Sequence, residues 1–584
     1  MSRLEIASPK KAKIVMEGLY KDLERRIESS PPGLCPVDMA RAFLELCHAQ
    51  TCGKCVPCRI GLGQLNNFIR EVLDGKATMK TLDIMEQTAL SIMESADCAI
   101  GYEAANMVYK GLIGYRDDYV EHIQNGRCTC TYNQPVPCVS LCPAHVDIPG
   151  YVTLVGEGRY ADAIRLLRKD NPFPTTCGFI CEHPCEARCR RNMVDDSINI
   201  RGLKRVAADF AGEVDPPQCA PDTGKKIAIL GGGPGGLSAA YYLQLMGHQT
   251  TVYEMLPKLG GMLRYGIPNY RLPKNRLDED INAILKTGVE VKYGLKIGED
   301  ITIQQLRSEY DAVLITIGAS TDKKLGLEGE DADGVISAVQ FLRDVGKDEA
   351  LDLTGKEVAV VGGGNVSMDA VRTAKRLGAK KVSIVYRRRV ADMTALPAEI
   401  EGAIAEGIEV QTLKAPASLD IDENHHIKGM YVTPQMISEI KGGRASVKAT
   451  GEPDQYIPCD ILVVAIGQNI ETEHFAEAGI PVERGKIVTT AGGDFLDMPG
   501  VFAGGDCASG PATVIKAIAA AKVVAANIDE YLGYHHEISC DVEIPKASLH
   551  DRVPCGRAEL TEREACERVC DFEGVENCMT EKEA

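Results

Sequence analysis

No apolar run in this 584-residue chain approaches the roughly 18 residues of a membrane span, so no transmembrane helix is expected. The opening, MSRLEIASPKKAKIV, lacks the apolar stretch of a secretory signal, and a cytoplasmic location is expected. Positive charge is in deficit. Sixty-five basic residues stand against 83 acidic ones, a formal net charge of -18, which argues against nucleic acid or anionic membrane as main partner and suits docking to proteins. An apolar fraction of 45% and a charged fraction of 25% show neither disorder nor collagen-like bias, and the length suggests about three to five domains. Cysteine is scarce through the middle, where residues 220–539 hold only Cys459 and Cys507. The remainder of the 22 crowd the two ends. In a reducing compartment such clustered thiols bind metal more often than they form disulfides.

Apolar residues recurring at three and four predict helices over 11–50 and 62–97, the first broken at Pro31-Pro32-Gly33. Between them "TCGKCVPCRIG" sets Cys52, Cys55 and Cys58 two residues apart, so three thiolates reach three corners of one cubane cluster. A helical hairpin returns the chain to its start, which makes Cys98 the candidate fourth ligand. Structural zinc is the competing reading, but zinc sites usually arrive as two separated Cys-x-x-Cys pairs. Two further groups follow: Cys128, Cys130, Cys138 and Cys142, then Cys177, Cys181, Cys185 and Cys189. Eight thiolates serve two cubanes. Arg188, Arg190, Arg191, Arg201, Lys204 and Arg205 make the neighbourhood basic, which offsets cluster charge or simply forms a solvated helix face. Cys540, Cys555, Cys566, Cys570 and Cys578 close the chain, either as plain thiols or as ligands of one further cluster.

The middle carries two dinucleotide turns. "KKIAILGGGPGGLSAAYYLQLMGHQTTVYE" reads strand, glycine turn, helix, strand, with Gly231, Gly233 and Gly236 as G-x-G-x-x-G and Glu254 placed to accept from ribose hydroxyls. "KEVAVVGGGNVSMDAVRTAKRLGAKKVSIVYRRR" repeats the pattern with Gly362, Gly364 and, at the third position, Ser367. Where the first copy ends in an acid, the second has Arg387, Arg388 and Arg389. A carboxylate repels a 2'-phosphate and guanidinium pairs with it, so the first fold is assigned to FAD and the second to NADP(H). "YDAVLITIGAS" and "CDILVVAIGQ" (459–468) read as buried strands of the first fold. "GVFAGGDCASGPATVIKAIAAAKVVAANI" returns to it, bringing Asp506 and a helix beginning near Thr513 to the flavin.

Residues about 10–125, through "TCGKCVPCRIGLGQL" and "ADCAIGYEAANMVYKGLIGYRDDYVEHI", resemble the cluster-binding helical bundle of the complex I flavin subunit, without its FMN and NADH part. "CVSLCPAHVDIPGYV" and "NPFPTTCGFICEHPCEARCRRN" resemble the two-cluster domain of the glutamate synthase small subunit and dihydropyrimidine dehydrogenase. In those relatives the first cysteine of the second group is usually not a ligand, and a Glu or Gln completes one cluster. The matching position here is Lys204, whose ammonium has no lone pair, so Cys177 or another residue takes that duty. With "GGMLRYGIPNYRLP", "YRRR" and "GGDCASG", residues 126–535 resemble the glutamate synthase small subunit and the large subunit of NADH-dependent ferredoxin:NADP oxidoreductase.

The expected fold is multidomain α/β: two Rossmann-like dinucleotide-binding domains, for FAD and NADP, preceded by two mainly α-helical iron-sulfur domains. The expected boundaries are 1–125 for the helical bundle with its 4Fe-4S cluster and 126–222 for the two-cluster domain. They continue with 223–350 and 466–535 for FAD, 351–465 for NADP and 536–584 for a cysteine-containing tail. Residues expected at FAD are Gly231, Gly233, Pro234, Gly235, Gly236, Glu254, Gly261, Arg264, Gly318, Gly505, Asp506 and Thr513. Those expected at NADP(H) are Gly362, Gly364, Asn365, Val366, Ser367, Arg387, Arg388 and Gly467. Hydride transfer between cofactors needs alignment rather than a protein acid or base, so no catalytic side chain is expected. Three 4Fe-4S clusters are expected, with a fourth open in the tail. The function these imply is an iron-sulfur FAD subunit of a multi-subunit NAD(P)H oxidoreductase that passes electrons to partner subunits or ferredoxin, extending to an electron-bifurcating transhydrogenase. Two other readings are a glutamate synthase small subunit and a non-catalytic electron-transfer scaffold.

Overall fold

The computed structural model describes residues 15–21, 35–126, 136–193, 196–441, 444–490, 492–545 and 556–584. The chain divides into two compact units, Met1–Leu141 with Cys185–Ile198 and Cys142–Pro184 with Asn199–Ala584. The stretch 126–222, expected as one domain, is thus shared between them.

In the first unit, helices Pro36–Ala49, Leu62–Leu73, Met79–Ser95, Ala99–Gly114 and Arg116–Asn125 enclose a core of fully buried Phe43, Leu44, Leu62, Leu65, Ile69, Leu82, Met85, Val108 and Leu112. Their three-and-four spacing puts them on facing stripes. The helix expected over 62–97 is two helices. Gly75 turns the chain at φ +67°, and the next helix starts at Thr78, whose N–H donates to Thr81 Oγ1 at 3.0 Å.

The second unit holds two parallel five-stranded sheets. The first runs Val501–Ala503, Ala312–Ile315, Lys226–Leu230, Gln249–Glu254, Glu290–Tyr293; the second runs Val335–Ser337, Ile461–Val464, Glu357–Val361, Lys381–Tyr386, Glu409–Thr412. Each glycine turn follows the central strand of its sheet and opens a helix, Pro234–Leu245 or Asn365–Arg376. One assignment needs correction. Ile461–Val464 pairs with Glu357–Val361 and Val335–Ser337 in the second sheet and takes no part in the first. Parallel strands covered on both faces read as plain apolar runs, so ILVV suits an inner place in either sheet. The second sheet also takes in Val335–Ser337, ahead of the boundary expected at 350, because the chain enters that sheet by an edge strand before reaching its glycine turn. Antiparallel strands Lys414–Ile421, Ile427–Lys441, Arg444–Ala449 and Gln455–Pro458 are inserted before Ile461–Val464.

Helices Ile148–Gly156, Tyr160–Asp170, Pro174–Ile180 and Ile200–Phe210 are anchored on the first sheet's layer. Tyr241 and Tyr242 of the glycine-turn helix donate to the carbonyls of Arg168 and Asp170 at 3.1 and 2.7 Å. Asp280 accepts from the N–H groups of Thr175 and Thr176 at 3.3 and 2.7 Å, satisfying orphan donors at the start of the helix that carries Cys177. Among the described residues no helix is long and apolar enough to cross a membrane.

Candidate functional site

A Cβ on Gly236 would stand 1.9 Å from the Gly231 carbonyl oxygen, so only glycine lets helix Pro234–Leu245 begin this close to the turn; Gly231 itself has φ +110°. The helix N-terminus, which favours phosphate, borders a cavity lined by Gly231, Gly233, Pro234, Gly235, Glu254, Gly261, Gly318, Gly505 and Asp506. Glu254 is buried. Its Oε2 accepts from Gly232 N–H and its Oε1 from Leu256 N–H, both at 2.8 Å. Burial raises its pKa, and those N–H groups oppose the rise. Burial also raises Asp506, against a hydrogen bond from Ala512 N–H. Glycines where a side chain would intrude, together with a buried carboxylate at the strand end, fit a dinucleotide. Three expected residues stand apart from this lining. Gly236 lies beneath the turn, and Thr513 is the N-cap residue of helix Val514–Tyr531, whose Ala517 reaches the cavity. Arg264 is turned away, donating to Leu259 O at 2.6 Å and pairing with Asp278.

A second cavity, of about 1000 Å³, is lined by Gly362, Gly364, Asn365, Val366, Arg387, Arg388 and Gly467. That volume is at the upper end for ligand sites and admits a dinucleotide. Ser367 is fully buried. A Cβ on Gly362 would meet its Oγ at 2.4 Å and the Ala465 carbonyl oxygen at 2.3 Å, so here too the turn needs glycine. The three arginines divide their work. Arg387 is exposed on the cavity wall, Arg388 is buried with Nε donating to Ala445 O at 2.7 Å, and Arg389 pairs with Asp392 at 2.7 Å. Lys323 and Lys324 line the same cavity and escaped the sequence reading, because they follow the first fold's strand and reach the second turn only through the tertiary path.

The two cavities meet across one short segment. Asp506 lines the first, Pro511 and Ala512 line the second, and Ala512 N–H bonds Asp506. A cysteine loop reaches the second turn from the helical side, for Glu182, next to Cys181, accepts from Asn365 Nδ2 at 2.9 Å.

The thiols of the first unit converge. A Cβ on Gly101, in the first turn after Cys98, would stand 2.6 Å from Cys58 Sγ. Burial pushes the Cys58 thiol up to about 12, and Cys55, Cys98 and Cys52 add to the rise. Of the other eight expected ligands, Cys138, Cys185 and Cys189 belong to the first unit and Cys142, Cys177 and Cys181 to the second. Cys128 and Cys130 lie outside the described residues, as does Cys555 of the tail. Cys177 is fully buried, which raises its thiol; nearby Lys204, itself buried, opposes that. In the tail, burial and a hydrogen bond to Asp209 push Cys578 up to about 12, while Cys566 and Cys570 are exposed.

Residues 225–521 match the model of the pyridine nucleotide-disulphide oxidoreductase family. The chain belongs to that family. Two further models match ahead of it: the iron-sulfur binding region of NADH-ubiquinone oxidoreductase-F at 38–122, and dihydropyrimidine dehydrogenase domain II, 4Fe-4S cluster, at 114–215. This pyridine nucleotide-disulphide oxidoreductase is similar to the NADP(+)-dependent formate dehydrogenase subunit beta of Moorella thermoacetica, 34% identical over 92% of this chain and 87% of the relative. It is 33% identical to the NADPH-Fe(3+) oxidoreductase subunit beta of Geobacter sulfurreducens, over 90% and 84%. It is 32% identical to the glutamate synthase [NADPH] small chain of Escherichia coli, over 68% and 88%. The resemblances read from the cysteine and glycine motifs are therefore borne out. The chain is an oxidoreductase whose cofactors are FAD, NADP and 4Fe-4S clusters.

Proposed function

We propose that this chain is the NADP(H)-handling subunit of a multi-subunit oxidoreductase and exchanges electrons between NADP(H) and partner subunits or ferredoxin. The observation that carries the reading is the meeting of the two glycine-turn cavities at Asp506–Ala512, with the Cys181 loop hydrogen-bonded to the second turn. The relatives named above as subunits support the multi-subunit reading.

In this reading Gly231 and Gly233 seat the FAD pyrophosphate on a helix N-terminus that Gly236 lets start close to the turn, and Glu254 accepts from its ribose. Gly362, Gly364, Asn365 and Val366 do the same for NADP(H). Arg387, open on the cavity wall, pairs with the 2'-phosphate, assisted by Lys323 and Lys324. Arg388 holds the wall in place through Ala445 and leaves direct contact to its neighbour. Helix Val514–Tyr531 reaches the first cavity through Ala517 of its first turn, and a helix N-terminus favours negative charge nearby. When bound, the flavin supplies exchange between hydride and single electrons, and the clusters supply single-electron conduction. Cys52, Cys55, Cys58 and Cys98 hold one cluster and the cysteines between 128 and 189 hold two. The cluster of the helical bundle, beyond what NADP(H)–flavin exchange needs, supports an extension to electron bifurcation with a further partner.

Anaerobically purified protein is expected to carry one FAD, about twelve irons for three clusters, and NADPH-driven dye reduction. Arg387→Asp should raise the NADPH KM at least about tenfold, the loss of one charge-assisted bond, with NADH turnover little changed. A chain without flavin and acid-labile sulfide would overturn the reading, and equal loss with both nucleotides would remove the role given to Arg387.

A further inference from the structure

Asp529, near the end of helix Val514–Tyr531, is 2% exposed and lines neither dinucleotide cavity. Its Oδ1 stands 2.8 Å from His248 Nε2 and 2.8 Å from His536 Nδ1, while Oδ2 accepts from the His536 backbone N–H at 2.7 Å. His248 is fully buried; the His536 side chain is 27% exposed. All three ligand atoms lie within 4.8 Å of one another.

The far side of His248 is also held. Thr223 Oγ1 lies 2.7 Å from His248 Nδ1, accepts from Lys225 N–H at 3.3 Å, and reaches the Gly247 carbonyl at 3.1 Å. Gly247 O already accepts from Thr223 N–H at 2.9 Å, so the Thr223 hydroxyl has two arrangements: it donates to Gly247 and accepts from Nδ1–H, or it donates to Nδ1. In the first arrangement the Nε2 lone pair faces a carboxylate oxygen at 2.8 Å, a contact that a proton or a cation has to bridge. An imidazole anchored through one nitrogen, with the other aimed at a site, is how metal-ligating histidines are oriented.

We propose that His248, Asp529 and His536 bind one divalent cation, zinc by donor chemistry, with a fourth position open to water beside His536. Two imidazoles and a carboxylate suit zinc, whereas calcium and magnesium prefer oxygen alone. Tetrahedral ligands at zinc distances sit about 3.3 Å apart, so each carboxylate–imidazole pair opens by roughly half an ångström and the two imidazole nitrogens, within 4.8 Å of each other, settle to the same spacing. The cation would join the residue ahead of the second strand, the end of the helix whose Ala517 reaches the first cavity, and the segment that follows that helix.

The test uses the full chain with its clusters loaded, checked by iron and FAD content, freed of adventitious metal with a mild chelator and titrated with zinc ions. One equivalent is expected, with a shell of nitrogen and oxygen in zinc X-ray absorption. Affinity should fall at least tenfold in His536→Ala, and His536→Cys should restore it with one sulfur in the shell. Absence of stoichiometric zinc overturns the site and leaves a hydrogen-bonded cluster in which protons stand where the cation would be. So does a sulfur shell in the unsubstituted protein, since the zinc would then sit on cysteines, or unchanged binding in His536→Ala.

Discussion

Glu406 takes charge from three arginines. Arg372, Arg376 and Arg568 reach its carboxylate at 2.7, 2.6 and 3.0 Å, and Arg376 also stacks 3.9 Å over the Tyr270 ring. Burial alone would raise its pKa, but hydrogen bonds from Arg376 and Arg372 outweigh burial and hold it at about 2, below the ordinary 4.5. A depressed carboxylate contributes stability that is whole above its unfolded pKa and is lost as pH falls through its folded one. Glu406→Gln should therefore cost about 3–5 kcal/mol near neutrality, as buried arginines lose their counter-charge. The gap to the unsubstituted protein should narrow from pH 5 to pH 3; denaturant titrations showing a constant gap across that range would contradict this. At this scale residue type was readable and direction was not. Arg264, Arg388 and Arg387 look alike in sequence, yet one turns to Asp278, one is pinned into the cavity wall by Ala445 and one stands exposed on that wall.

Both glycine-turn elements were legible because their chemistry is local: a buried strand, residues that must lack a Cβ, and a helix that starts at once. Gly236→Ala tests that at the level of the element. Its new Cβ meets Gly231 O at 1.9 Å, so the turn must open. Flavin content should fall below about one tenth of a mole per mole, while iron is retained; a full complement of FAD would refute the steric argument. The edges of elements were less legible. Gly75 splits one expected helix with a left-handed turn, and Ile461–Val464 changes sheets because its apolar pattern is common to both.

Over the larger unit, the tail is a clasp. Asn199 donates to Ala558 O, Asn269 to Phe572 O and Arg376 to Asp571 O, at 3.0, 2.9 and 2.9 Å. Arg201 grips Glu576 with two bonds of 2.9 and 2.7 Å, and Arg568 reaches Glu406. These contacts tie helix Ile200–Phe210, the loop ahead of helix Lys274–Leu285 and the second sheet's helices to one strap. Arg201→Ala and Glu576→Ala should each speed amide exchange across 556–584. A double-mutant cycle should give about 1.5–3 kcal/mol of coupling, the range for bonds between charged groups; coupling near zero would reduce the strap to a surface decoration.

Sequence by itself determined the cofactor inventory, since glycine turns, a strand-end acid or arginine, and tight cysteine spacing each declare their ligand through short-range geometry and charge. Tertiary structure decided which arginine stands exposed on the cavity wall, that Lys323 and Lys324 join it, that the segment Asp506–Ala512 borders both cavities, and that His248 meets Asp529 and His536. Those relations depend on residues far apart in the chain being brought within a few ångströms by the packing of sheets and helices, and no local pattern records that distance.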